Sequence, residues 1–364
     1  MRLQPALAST APPHIKRLVR RTAADRSQRI RSLVQLSFIV LNGWLGIQFY
    51  LWFRFFLVGG HGLPVHRPPG AEGWLPIAGL MNFKYLLTTG HIPDMHPAAM
   101  FLFMAFVTIS IVAKKAFCSW LCPIGTLSEY LWKLGRRIFR GNLHLPLWID
   151  LPLRGLKYLL LGFFLCIIGT MSAAELDEFM HTPYGIIADV KMLNFFLEMS
   201  TTAAVVIAVL AVLSLVIQNF WCRYLCPYGA LMGLASLASP LKIRRSPDAC
   251  IDCAKCARAC PASLPVDKLV RICSVECTAC MACIASCPAE GALQLALPPP
   301  HTSAFAKRWR RAVSPTGFAA LLAVILFGYV LFAHATGHWQ THVPAHVYQQ
   351  LVPIANQASH PGFE

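Results

Sequence analysis

The chain has 364 residues, 56% of them hydrophobic, with a mean hydropathy of +0.54 and a formal net charge of +16. A water-soluble domain of this length has no use for so much apolar surface, so the composition points to a membrane protein. The positive charge would also suit a nucleic-acid binder, but that class needs a soluble basic face, and the distribution of the charge along this chain excludes it.

Residues 1–32 carry eight Lys or Arg and read as a basic cytoplasmic segment. Five apolar stretches then reach, or nearly reach, the roughly 20 helical residues that cross a hydrocarbon core: 33–58, 97–117, 156–173, 201–221 and 317–335. The 74–87 stretch is apolar but short and broken by Pro76; it reads as interfacial or re-entrant, with a sixth span as the alternative. Nothing after the first span resembles a small-residue cleavage site, so that span is expected to remain as an anchor. With the N-terminus inside, residues 1–32, 114–157 and 222–316 fall in the cytoplasm or at its membrane edge. These segments hold 28 of the 32 Lys and Arg, the bias of the positive-inside rule. All fourteen cysteines then lie in or on the inner side, a reducing compartment in which thiols serve metals rather than disulfides.

A repeat marks the inner ends of two spans. Phe117-Cys118-Ser119-Trp120-Leu121-Cys122-Pro123-Ile124-Gly125 matches Trp221-Cys222-Arg223-Tyr224-Leu225-Cys226-Pro227-Tyr228-Gly229, 104 residues later. Two tandem helix pairs related by an axis along the membrane normal would bring the copies together. Cysteines four apart share a helical face, so Cys118, Cys122, Cys222 and Cys226 could converge on a third metal or cluster site or a thiol relay. The structural alternative carries similar weight: cysteine packs as a small apolar residue while Pro and Gly end the helix.

Downstream stand Cys250-x2-Cys253-x2-Cys256-x3-Cys260-Pro261 and Cys277-x2-Cys280-x2-Cys283-x3-Cys287-Pro288. This is the ligand spacing of a two-cluster bacterial ferredoxin, in which the fourth cysteine of each motif ligates the other cluster. One [4Fe-4S] cluster is therefore expected on Cys250, Cys253, Cys256 and Cys287, and a second on Cys277, Cys280, Cys283 and Cys260. Zinc knuckles usually have a longer insert and lack the terminal Cys-Pro. The expected organisation is a polytopic α-helical membrane protein of about five spans with an inserted α+β ferredoxin-like domain. Its parts are the basic segment 1–32, a membrane domain 33–247, the cytoplasmic two-cluster domain 248–297, a linker 298–316, the last transmembrane helix 317–335 and a periplasmic tail 336–364.

The paired C-x3-C-P elements followed by two ferredoxin motifs resemble the membrane polyferredoxins of the NapH/NosR type, including their YccM-like branch. Arg67-Pro68-Pro69-Gly70 and Gly337-His338-Trp339-Gln340 are similar to that branch as well. The resemblance covers nearly the whole chain from about residue 33. It implies a bacterial inner-membrane electron-transfer protein working between the quinone pool and a reductase system. Unlike NosR, the chain shows no flavin-binding domain before the first span, and unlike the copper-oxidase assembly relatives it shows no large domain after the last, so the redox partner stays open.

Smaller signals complete the reading. Cys166 and Cys273 stand outside the motifs and read as packing cysteines. Lys255, Arg258, Lys268 and Arg271 lie among the ferredoxin ligands, where cations would raise a cluster's potential and help dock an acidic partner, or simply form a solvated surface. Arg54, amid Trp52, Phe53, Phe55 and Phe56, reads as snorkelling, with a quinone pocket as the alternative. His334, His338, His342 and His346 recur every four residues, which on one helix would build a metal or haem face; Pro344 argues against it, and no C-x-x-C-H motif exists. With no catalytic constellation and no G-x-G-x-x-G or P-loop, the expectation is an electron-transfer subunit of an oxidoreductase system, in contact with membrane lipid, passing single electrons from a quinol to a redox protein. The alternatives are a copper reductase or metalloenzyme assembly factor and a redox-sensing membrane regulator.

Overall fold

The first apolar run forms α1 (Ser27–Leu57), 31 residues and about 47 Å long at 1.5 Å per residue. In the computed structural model, which describes residues 19–21, 24–62, 64–143, 145–297 and 312–358, this helix joins the two ends of the molecule. Residues 1–18 and 298–311, which hold most of the basic segment and linker read from the sequence, lie outside the described residues. A 3-10 turn (Pro69–Trp74) leads to α2 (Pro76–Thr89), which starts on the proline that interrupts the 74–87 stretch. Proline suits a first helical turn, where its missing N–H has no intrahelical partner. At 14 residues α2 is too short to cross a bilayer.

Helix α3 (Pro97–Ala113) is the centre of the bundle, with Ala98 to Phe103, Ala105, Ile109 and Ala113 buried. Small residues let the neighbouring helices approach closely. Gly79 of α2 shows how closely: a Cβ there would stand 2.8 Å from the Ala99 carbonyl oxygen. Beyond a π-helical turn (Phe117–Leu121) come α4 (Pro123–Ile138) and α5 (Leu147–Thr170), the latter capped by Lys84 Nζ donating to the carbonyls of Ile168, Gly169 and Met171. Short helices α6 (Ala173–His181), α7 (Pro183–Ile186) and α8 (Ala188–Leu197) precede α9 (Thr201–Val216), which bends 81° from α8. A second π-helical turn (Trp221–Leu225) and α10 (Pro227–Ala235) complete the repeat.

Strands β1 (Lys242–Arg245) and β2 (Leu293–Ala296) pair antiparallel, with Ile243 opposite Leu295. Between them lie two one-turn helices, α11 (Lys255–Arg258) and α12 (Ala282–Ala285). Helix α13 (Pro315–Ala335) packs on α3 and α1, and α14 (Ala345–Leu351) closes the chain. One hydrophobic cluster runs without a break from Phe101 and Leu326 through Trp120 and Phe318 to Ile243, Ile272 and Leu295, so the ferredoxin-like segment is fused to the helices rather than tethered.

Three described helices, α1, α5 and α13, are long and apolar enough to cross a membrane, or four if the bent α8–α9 pair counts as one. The expected second and fourth spans differ: α3 has 17 residues, about 26 Å, and α9 has 16, about 24 Å, both short of a hydrocarbon core of about 30 Å. At the end of the bundle far from the ferredoxin-like segment, Arg67 pairs with Glu72 (2.8 Å) and Asp189 (2.6 Å), His96 Nε2 donates to the Gly185 carbonyl (2.9 Å), and Thr341 Oγ1 donates to Glu72 (2.7 Å). This buried network ties the 3-10 turn, the start of α3, α8 and the C-terminal segment together.

Candidate metal centres

The two ferredoxin motifs share a backbone device that brings their cysteines round a centre. Asp252 and Ala254 in the first motif, and Ala279 and Met281 in the second, have φ between 49° and 58°. Each left-handed L-residue costs about 1–2 kcal/mol, and such strain persists where the surroundings demand it, commonly at functional sites. Backbone amides of Ala257, Ala279, Ala262 and Leu264 stand beside the sulfurs of Cys256, Cys277 and Cys260 and favour their charged form, and Cys287 Sγ donates to the Ala289 carbonyl (3.6 Å). Burial pushes the Cys260 thiol up to about 12, and its two amide donors work against that rise.

Cys250, Cys253, Cys256 and Cys287 line one cavity of about 330 Å³, open solvent at its mouth included. Cys260, Cys277, Cys280 and Cys283 line a second of about 370 Å³. The fourth cysteine of each motif thus sits with the first three of the other. Among the described residues no three His, Cys, Asp or Glu converge closely enough for a single metal ion. Four thiolates on one zinc, at bonds of about 2.3 Å, would hold their sulfurs about 3.8 Å apart. Sulfurs ringed round a cavity, with amides beside them, fit a four-iron cube better.

The repeat cysteines also lie near one another: Cys118 and Cys222 line a common cavity, and Cys122 and Cys226 are within electrostatic reach of Cys222. Each C-x3-C runs through a π-helical turn rather than the α-helical face read from the sequence, and π turns recur at functional sites. The second cysteine of each pair caps the next helix: Gly125 N–H donates to Cys122 Sγ (3.5 Å) and Gly229 N–H to Cys226 Sγ (3.2 Å), with proline at the first helical position. Glycine is required at 125 because a Cβ would collide with the Cys118 carbonyl.

Several charged groups beside these cysteines carried no signal in the sequence. Buried Lys115 faces Cys118, Cys222 and Cys226, with Glu276 at 3.9 Å. Glu276, directly before Cys277, accepts from fully buried Lys157 of α5 at 2.5 Å. Burial pushes the Glu276 carboxyl up, but Lys115 and Lys157 outweigh that and hold it below its ordinary range. Glu129 takes a bidentate pair from Arg31 at 2.5 and 2.6 Å. The adjacency of Glu276 to a ligand was the only available hint.

The repeat site abuts the second ferredoxin quartet. Ser119 Oγ donates to the Thr278 carbonyl (2.7 Å), Trp120 Nε1 to that of Ala279 (3.2 Å) and Gln28 Nε2 to that of Cys280 (3.0 Å). Cys118, Cys222 and Cys280 all line one open cleft, about 820 Å³ with the solvent at its mouth included. The matching positions of the second repeat turn elsewhere, Arg223 and Tyr224 both bonding Asp150 of α5.

The remaining candidates are separate. Cys166 is exposed on α5, and Cys273 lies outside both quartets. Arg54 lines a cavity with Asn194, Glu198 and Asn356 at the end of α1 far from the cysteines. The four histidines do not share a helix, because α13 ends at Ala335 and Gly337 turns the chain at φ 75°.

Comparison with known proteins agrees with this geometry. A family described as a 4Fe-4S binding domain matches residues 95–142 and 200–246, which contain the repeat cysteines, and a 4Fe-4S dicluster domain matches 242–288. No solved structure matches the chain. The candidate electron transport protein YccM of Escherichia coli (strain K12) is 47% identical over 91% of this chain and 91% of its own length. The ferredoxin-type protein NapH of the same organism is 24% identical over 48% of this chain and 57% of its own. The regulatory protein NosR of Pseudomonas aeruginosa is 26% identical over 52% of this chain and 26% of its own. The chain therefore belongs to the YccM-like family of 4Fe-4S electron transport proteins, related to the ferredoxin-type membrane proteins NapH and NosR.

Proposed function

We propose that this chain is a multi-pass inner-membrane protein that passes single electrons between a quinol and a redox partner protein, with [4Fe-4S] clusters on both ferredoxin quartets and a third on Cys118, Cys122, Cys222 and Cys226. Each cluster, when bound, supplies one-electron transfer. The observation that carries the reading is the convergence of the four repeat cysteines beside the second ferredoxin quartet, joined by the Ser119 to Thr278 hydrogen bond. Ser119 and Trp120 hold the two sites in register, while Lys115 offsets the negative charge of four half-buried thiolates. A quinol gives up two electrons and two protons, so one quinol serves two single-electron transfers.

Five spans are part of the proposal, the cytoplasm holding the N-terminus and ferredoxin segment and the periplasm the C-terminus. Support comes from the 28 of 32 basic residues on the inner side.

The test is anaerobic purification with iron analysis and quinol-driven reduction followed by EPR. About 12 Fe per chain is expected, at four per four-thiolate site, against about 8 if the repeat cysteines only pack. Cys260→Ala should remove the cluster of Cys277, Cys280 and Cys283. Cys118→Ala and Cys222→Ala should each slow quinol-driven reduction nearly as much as loss of all four repeat cysteines, because ligands of one site are non-additive. Near wild-type reduction in the quadruple variant, with eight irons retained, would remove the repeat site from the path.

A further inference from the structure

The two ferredoxin quartets have different surroundings. The second is enclosed: Cys277 and Cys283 are buried, and the loop between Cys277 and Cys280 takes hydrogen bonds from Ser119, Trp120 and Gln28. Around the first, residues 253–258 hydrogen-bond only within their own loop, and Cys250, Cys253 and Cys287 are half-buried, with Cys256 alone buried. Lys255 and Arg258 are exposed there. Charge follows the same division. Residues 242–271 carry seven Lys or Arg against three Asp, whereas residues 272–297 carry two Glu and no Lys or Arg.

Beside the first quartet runs an exposed strip, Lys268-Leu269-Val270-Arg271, in which Leu269 is 39% and Val270 57% exposed. It is held against β1, since Arg245 N–H donates to the Val270 carbonyl (2.8 Å) and Ile272 N–H to that of Ile243 (3.0 Å). Arg245 and Asp267, at the two edges of this strip, both line the cavity of the first quartet. Among the described residues the side chains of Lys255, Lys268 and Arg271 make no ion pair. Free cations round a small apolar centre, next to a one-electron site, are what a transient redox complex uses: charge steers the encounter and the apolar centre seats it. The three interleaved aspartates favour a patterned protein surface over a uniformly anionic lipid one.

We propose that Lys255, Lys268, Leu269, Val270 and Arg271 form the docking site of a soluble, acidic one-electron carrier protein, which exchanges electrons with this chain at the first ferredoxin quartet. The proposal rests on the iron-sulfur reading above. In the outward direction the reduced chain loses one electron and the carrier gains it; these residues transfer no proton and no group.

The test uses the full-length protein in detergent and in nanodiscs, with an acidic flavodoxin as probe and a basic cytochrome c as its opposite in charge. Affinity is measured directly, and electron transfer from the pre-reduced protein by stopped flow. Flavodoxin affinity and rate should fall with rising salt, and Lys255→Glu/Lys268→Glu/Arg271→Glu should lower both at least about tenfold while raising the cytochrome c rate. Leu269→Ala/Val270→Ala should weaken binding without changing its salt dependence. If the triple variant loses iron, Lys268→Glu, outside the ligand motifs, carries the same comparison. Salt-insensitive flavodoxin binding equal in wild type and variants overturns the proposal. So does an effect confined to nanodiscs of anionic lipid, which assigns the face to headgroups. Iron-free protein that still binds flavodoxin through this face would refute the proposed function and leave the docking site standing.

Discussion

Glu276→Gln tests how the ferredoxin-like segment is locked to the helices. In the wild type the Glu276 carboxylate accepts from Lys157 at 2.5 Å and stands 3.9 Å from Lys115, and both lysines are almost wholly buried. Removing the carboxylate leaves the buried Lys157 ammonium without a counter-charge, while Lys115 still faces the repeat cysteines. Breaking a buried pair in this way costs about 3–5 kcal/mol. A glutamine carbonyl still accepts one hydrogen bond from Lys157, so the lower end, about 3 kcal/mol, is the expectation, a shift of roughly a hundredfold in the local opening equilibrium. Hydrogen exchange read by mass spectrometry over residues 270–284 should report that change as faster exchange, with other helices unaffected. Lys157→Met in the Glu276→Gln background should recover part of the loss, because it removes the orphaned charge. Wild-type protection in Glu276→Gln, or strictly additive single and double variants, would refute the idea that this ion pair is the lock.

Two further outcomes are expected. A reporter active only in the periplasm should be active when fused after residue 70, 185 or 345 and silent after 140 or 290; activity at 290 would place the ferredoxin-like segment outside. Burial raises the Glu72 carboxyl, but Arg67 and His96 outweigh that and hold it at about 2, against an ordinary 4.5. A carboxyl depressed by folding stabilises above its unfolded value and ceases to do so as pH falls through the folded one. Tryptophan fluorescence should therefore show the network loosening as pH falls from about 4.5 toward 2, with Glu72→Gln already less stable at neutral pH and flatter over that range.

What was legible in the chain alone is local. Eight cysteines at x2, x2, x3 spacing point to two candidate ligand sets because a cube draws on residues a few positions apart, and Cys260 and Cys287 each line the cavity of the other motif's first three cysteines. Long apolar runs became helices for the same reason: burial in an apolar phase acts on every residue of the run. The membrane reading blurred where α3 stops at Ala113, since Lys114, at φ 61°, ends the helix, and where α9 stops at Val216, the π turns beginning only some residues on. The long-range facts needed the fold. Nothing in the sequence says whether cysteines 104 residues apart meet or merely pack, because helix periodicity sets which face a residue occupies and not which helix it faces. Packing of α4, α5 and α10 round the two π turns places Cys118, Cys122, Cys222 and Cys226 near one another. The same packing decides that Ser119 and Trp120 reach the second quartet while Arg223 and Tyr224 reach Asp150. It also leaves the first quartet as the one beside exposed cations, because two identical ligand motifs differ only in what the rest of the chain places against them.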